Sequence, residues 1–126
     1  MRIIKRTILL VISLLFVFIG SIIVFMNLRV EKLENEVRSY LTSKGYEEHQ
    51  IQKIDGKISI QPVYQVVVIF TDEPNVTYYY GSKKYYSILP SKGEDKVFQL
   101  SVTRFIDQNY EYKHIEPNIK EQLPMN

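Results

Sequence analysis

The chain has 126 residues, with 16 Lys and Arg, 14 Asp and Glu, no cysteine and no tryptophan. That length holds one domain beside a membrane segment, and the lack of cysteine excludes a disulfide framework, a thiolate zinc site and a lipid-modified cysteine. Arg2, Lys5 and Arg6 precede an apolar run. Setting them aside leaves 13 Lys and Arg against 14 Asp and Glu from Arg29 onward, without the concentrated basic face that nucleic acid requires.

Thr7 to Leu28, TILLVISLLFVFIGSIIVFMNL, is 22 residues without a charge. As a helix it spans about 33 Å, enough for the hydrocarbon core of a bilayer. A lone apolar segment must satisfy its backbone internally, so a helix is the expected form. The flanking Arg2, Lys5 and Arg6 predict that residues 1–6 stay in the cytoplasm and the remainder lies outside, giving a single-pass protein of the cell membrane. Arg29 and Lys32 weaken that asymmetry slightly. The run exceeds the roughly 7–15 apolar residues of a signal peptide and lacks a small-x-small site, so it reads as a retained anchor. Gly20-Ser21 has no GxxxG spacing and predicts no helix dimer.

Val30 to Lys44 places Val30, Leu33, Val37, Tyr40 and Leu41 at helical spacing, a single apolar stripe. Gly45 after Lys44 is a stop signal. One amphipathic helix is therefore expected to lead out of the membrane. The period then changes. Ile51, Ile54, Ile58 and Ile60 suggest a first strand region, broken at Asp55-Gly56. Val63 to Phe70, VYQVVVIF, reads as a central strand, Val76 to Tyr80 as a third and Tyr85 to Leu89 as a fourth. Pro90 to Asp95 breaks the pattern. Lys96 to Ile106 predicts a long strand with Phe98, Leu100, Val102 and Ile106 on one face and Gln99, Ser101 and Thr103 on the other. YEYKHI is a candidate closing strand, and residues 117–126 read as a flexible tail. The expected fold is α+β: a transmembrane helix over 7–28, then an extracytoplasmic domain over 29–116. In that domain one amphipathic helix packs on an antiparallel meander of four to five strands.

Three stretches stand in order behind the anchor: EVRSYLTSKGY (Glu36–Tyr46), YQVVVIFTDEPNVTYYYG (Tyr64–Gly81) and KHIE (Lys113–Glu116). In these the chain resembles domain-of-unknown-function family 3139, small membrane-anchored proteins of Gram-positive bacteria. The resemblance implies a cell-envelope address and carries no functional residue. The order of helix then meander is also similar to small cystatin-like or PepSY-like envelope domains, which is an analogy of fold alone.

Asp72 and Glu73 are candidates for a cation or a sugar hydroxyl, but the local chemistry favours a turn. Glu73-Pro74-Asn75-Val76 fits a type I turn with Pro at its second position. Replacing both carboxylates by amides is then expected to cost about 0–1 kcal/mol. Asn75-Val76-Thr77 is formally a glycosylation sequon, without relevance in a bacterial chain. The tyrosines are the larger excess. Tyr78, Tyr79, Tyr80, Tyr85 and Tyr86 are the candidate partner-binding residues, although strand alternation splits each run between two faces. His114 with Glu111 and Glu116, near Asp107, resembles a metal cluster but lacks a second histidine close in sequence. Lys83, Lys84, Lys92 and Lys96 offer contacts for anionic wall polymers or headgroups, or serve solubility and edge protection.

No nucleophile elbow, P-loop, dinucleotide fingerprint or HExxH occurs. No enzyme, cofactor or nucleic-acid partner is expected. The expected function is a non-enzymatic binding module of the bacterial envelope, with the bilayer as partner through residues 7–28 and an envelope protein, peptide or wall polymer as a second. The alternatives are a PepSY-like regulator of an envelope protease and an envelope hydrolase.

Overall fold

The computed structural model describes residues 1–90, 92–93, 96–103 and 110–120. The anchor and the amphipathic helix form one unbroken helix, α1 (Arg2–Ser43), of 42 residues, about 63 Å long. Nothing in the sequence interrupts it. The Gly20-Ser21 pair stays helical, with the Ser21 hydroxyl donating to the carbonyl of Val17 at 2.8 Å. Consecutive apolar residues such as Leu14 to Ile19 are exposed around its full circumference. Among the described residues α1 is the one helix long and apolar enough to cross a membrane.

From Arg29 onward the same helix becomes one-sided. Leu33, Val37 and Leu41 are buried, each 0–1% exposed, as their spacing predicts. The helix stops at Gly45, whose φ of +97° suits a residue without a Cβ. The amide of Gly45 donates to Thr42 and that of Tyr46 to Leu41, the paired bonds of a Schellman stop.

The buried stripe lies on a four-stranded antiparallel meander, β1 (Ile51–Ile58), β2 (Tyr64–Phe70), β3 (Thr77–Ser82) and β4 (Val97–Thr103), in spatial order β1-β2-β3-β4. Tyr64, Val66, Val68 and Phe70 of β2 alternate onto the helix side beside Tyr78 and Tyr80 of β3, and all join one core with the helical stripe. A short helix α2 (Pro117–Lys120) follows the segment 110–116.

Several local expectations are corrected. β1 runs through Asp55-Gly56 without a turn. Gly56 is required by packing, because a Cβ there would lie 2.3 Å from Val30 Cγ1, and its amide donates to the Glu34 carboxylate at 3.2 Å. Tyr85 to Leu89 is not a strand. Lys83–Tyr85 is a 3-10 turn, and side chains take backbone carbonyls there: Arg29 binds that of Lys84 and Tyr64 that of Ile88.

A register shift between Tyr79 and Tyr80, opposite Ser101 and Gln99, turns β4 over part-way. Gln99 therefore enters the core, fully buried, instead of joining Ser101 and Thr103. Ile106 lies outside the described residues. Tyr110 to Glu116 forms no strand. Pro117 to Lys120, expected to begin a flexible tail, forms a helical turn that buries Ile119.

Candidate functional site

The acidic turn is a turn and also more than a turn. The amide of Val76 donates to the carbonyl of Glu73 at 3.2 Å, closing the loop over Pro74-Asn75 as its chemistry predicts. The Glu73 side chain, however, is only 3% exposed. Its carboxylate accepts hydrogen bonds from the hydroxyl of Tyr78, the hydroxyl of Tyr110 (2.6 Å) and the amide of Lys113 (3.1 Å). The turn alone therefore does not account for Glu73, whose carboxylate is the shared acceptor for three donors, the Tyr78 hydroxyl fully buried among them.

Asp72 faces outward, with its side chain half exposed, and holds His114 Nε2 at 2.8 Å. That hydrogen bond from His114 holds the Asp72 carboxyl below its usual range. The imidazole stacks on Phe70, with centroids 3.9 Å apart, and its Nδ1 meets the Tyr46 hydroxyl at 2.9 Å. Gln99 completes the clasp. It donates to the carbonyl of His114 and to Tyr80 Oη, each at 3.1 Å, and accepts from the amide of Glu116. Tyr40 donates to Glu116. Burial first, and the neighbouring carboxylates second, push the hydroxyls of Tyr40, Tyr46 and Tyr78 up; burial leads at Tyr80 too. This network fastens residues 110–120 to the end of the sheet remote from the anchor.

At the anchor end the polarity is reversed. Arg29, 8% exposed, lies over the Tyr85 ring at 4.2 Å and the Tyr64 ring at 5.6 Å. It donates to the carbonyl of Lys84 at 3.0 Å. Tyr85 in turn donates to Glu36, about two helical turns further along α1 from Arg29. A cation immediately after an apolar anchor is thus built into the core.

The candidate partner-binding tyrosines separate accordingly. Tyr78, Tyr80 and Tyr85 are core residues, 0–1% exposed, and offer no contact surface in this fold. Tyr79 and Tyr86 are half-buried. Tyr79 pairs with Val67 and Ser101 on the sheet face away from α1, where Ile69 and Leu100 are also half-buried. The Tyr86 ring stands 6.3 Å from that of Phe98. An apolar strip thus crosses the outer face between Lys53 and Asp55 on β1 and Ser101 and Thr103 on β4. Among the described residues no group of three or more His, Asp or Glu side chains is placed to hold a metal. His114 and Glu116 turn to separate partners, and Asp107 lies outside the described residues.

Residues 1–80 match the family model for proteins of unknown function, DUF3139. The chain belongs to the DUF3139 family. No curated protein and no solved structure matches it. The DUF3139 match takes in α1, β1, β2, the acidic turn and Tyr78 to Tyr80, while Lys113–Glu116 lies beyond it. Three working residues of this DUF3139 chain escaped the sequence reading: Glu73 as a receptor, Arg29 as a core cation, and Gln99. Gln99 alone left a signal, a lone amide in an otherwise apolar stretch from Val97 to Leu100.

Proposed function

We propose that this protein is a non-enzymatic binding module of the Gram-positive cell envelope. Residues 7–28 of α1 hold it in the cell membrane, with the N-terminus cytoplasmic and the sheet domain outside. The observation that carries the reading is the single helix whose first half is apolar on every side and whose second half is the spine of the domain. Arg2, Lys5 and Arg6 before the apolar half support the orientation. The contact surface is the outer sheet strip around Tyr79, Ile69 and Phe98. Its apolar centre and polar margin suit an envelope protein or peptide.

The test is photocrosslinking in cells from Tyr79, with the remote, exposed Asn75 as control. A discrete adduct from Tyr79 and none from Asn75 is the expected outcome. Identical patterns at the two positions would overturn the reading.

A further inference from the structure

The domain end that carries Arg29 also carries the unsatisfied apolar surface. Beyond Leu28, the described residues expose four large aliphatic side chains: Ile58 (48%), Ile60 (94%), Ile88 (46%) and Leu89 (68%). Ile58 ends β1, Ile60 lies in the β1–β2 connection that follows, and Ile88 and Leu89 lie in the neighbouring segment after Lys83–Tyr85. The loops are joined by the amide of Val63 donating to Tyr86 (2.9 Å) and the hydroxyl of Tyr64 donating to Ile88 (2.9 Å).

Their height along α1 follows from contacts already described. Gly56 lies against Val30, and β1 runs antiparallel to α1 toward its N-terminal end. Ile58 is two residues further, about 7 Å on, a distance that α1 covers in between four and five residues. That brings the loop level with Met26, which is itself partly buried against the domain core. Met26 belongs to the uncharged run, so the domain has no stalk between it and the anchor. The loop tips stand level with the end of the uncharged run of α1. Lys57, next to last in β1, and Lys92, after Leu89, are exposed as well.

We propose that Ile58, Ile60, Ile88 and Leu89 insert into the outer interface of the bilayer that α1 spans, making the domain a two-point membrane protein and not one standing clear on a single helix. The inference rests on the spanning reading given above. The chemistry fits an interface: aliphatic tips enter the boundary between headgroups and chains, and lysines meet anionic headgroups. Four exposed aliphatic side chains gathered at one end, unlike a lone one, mark an interaction surface.

The chain contains no tryptophan, so a single introduced Trp reports its own surroundings. Full-length Ile60→Trp, Leu89→Trp, Phe16→Trp and Asn75→Trp are placed in nanodiscs containing lipids brominated near the headgroup or at the chain end. Phe16 lies mid-anchor and Asn75 at the opposite end of the domain. The expected result is blue-shifted emission from Ile60→Trp and Leu89→Trp, with greater loss of intensity to bromines near the headgroup. Phe16→Trp is quenched most by chain-end bromines, and Asn75→Trp is unquenched and red. Quenching in neutral and anionic lipid alike supports insertion by the aliphatic tips. Quenching in anionic lipid alone supports it with the lysines required. If Phe16→Trp is quenched while Ile60→Trp and Leu89→Trp match Asn75→Trp, the insertion is wrong and the span stands. If Phe16→Trp is itself unquenched, the spanning reading fails. A concentration-dependent blue shift without quenching by lipid places a second copy on the tips and overturns the proposal.

Discussion

Each end of the sheet domain buries one charge among tyrosines, and the charges are opposite. Near the anchor, Arg29 lies on the faces of Tyr85 and Tyr64. At the far end, Glu73 collects the hydroxyls of Tyr78 and Tyr110. A tyrosine ring offers electron density to a cation from its face and a donor to an anion from its rim. One residue type thus closes both ends of a small core without a disulfide. The ends differ in what they fasten. Arg29 ties the helix to the loop after β3, whereas Glu73 ties residues 110–113 to the β2–β3 turn. The near end also exposes aliphatic tips, and among the described residues the far end exposes none.

Glu73→Ala strikes the far end hardest. It leaves two hydroxyls and an amide without their shared acceptor, at a cost on the order of 3 kcal/mol or more. Hydrogen exchange across residues 110–120 should accelerate well before the rest of the sheet, with Glu73→Gln in between. Native-like protection in Glu73→Ala would show that the carboxylate is not what holds the segment. At the near end, Arg29→Ala is expected to cost about 2 kcal/mol through lost stacking and a lost bond to the Lys84 carbonyl. Arg29→Lys keeps the charge but not the planar stack and should recover only part of it. Thermal melts in detergent read both variants, and equal stability of Arg29→Ala and the parent would remove the aromatic box from the account.

Gly56→Ala pushes a methyl group into Val30 and is expected to cost about 1–3 kcal/mol. The same melts check it, and an unchanged midpoint would mean that α1 is free to move away from β1. The smallest effect is the pH dependence at Asp72. Its carboxyl is held below the ordinary 3.8 by His114, so the folded chain binds this proton less readily than the unfolded one. Its contribution is complete above that value and is lost as the pH falls below it. Half exposure keeps the term small. Asp72→Asn should flatten the acid limb of stability against pH and leave the neutral plateau nearly unchanged. An acid limb identical in Asp72→Asn would assign acid sensitivity elsewhere.

The sequence made the coarse fold readable because two periods are strong in it. The uncharged run sets a spanning length, and Leu33, Val37 and Leu41 repeat at helical spacing above strands that alternate. It misled where one residue type serves two purposes. Asp55-Gly56 has the composition of a turn, but the glycine is set by the approach of Val30, a contact 26 positions away in sequence. Glu73 is explained locally by the proline after it, and nothing local shows that Tyr110 and Lys113 return to it. The apparent alternation of β4 failed because a bulge opposite Tyr79 and Tyr80 is a property of the pair of strands and not of either one. Tyr78, Tyr79 and Tyr80 divided as alternation requires, whereas Tyr85 and Tyr86 lie at a 3-10 turn where strand alternation does not apply. That the Tyr78 and Tyr80 side is the buried one depended on which face α1 covers.

The unbroken passage of α1 from anchor to core has a mechanical result. A helix without hinge, glycine break or proline between Gly20 and Ser43 acts as a lever. A spanning helix longer than the local hydrocarbon is thick accommodates by tilting. The domain is packed along the same rod from Met26 to Leu41, so any tilt of a spanning α1 would turn the domain through the same angle. In the proposed spanning arrangement, local membrane thickness would set the inclination of the sheet, and with it the direction in which Tyr79 faces.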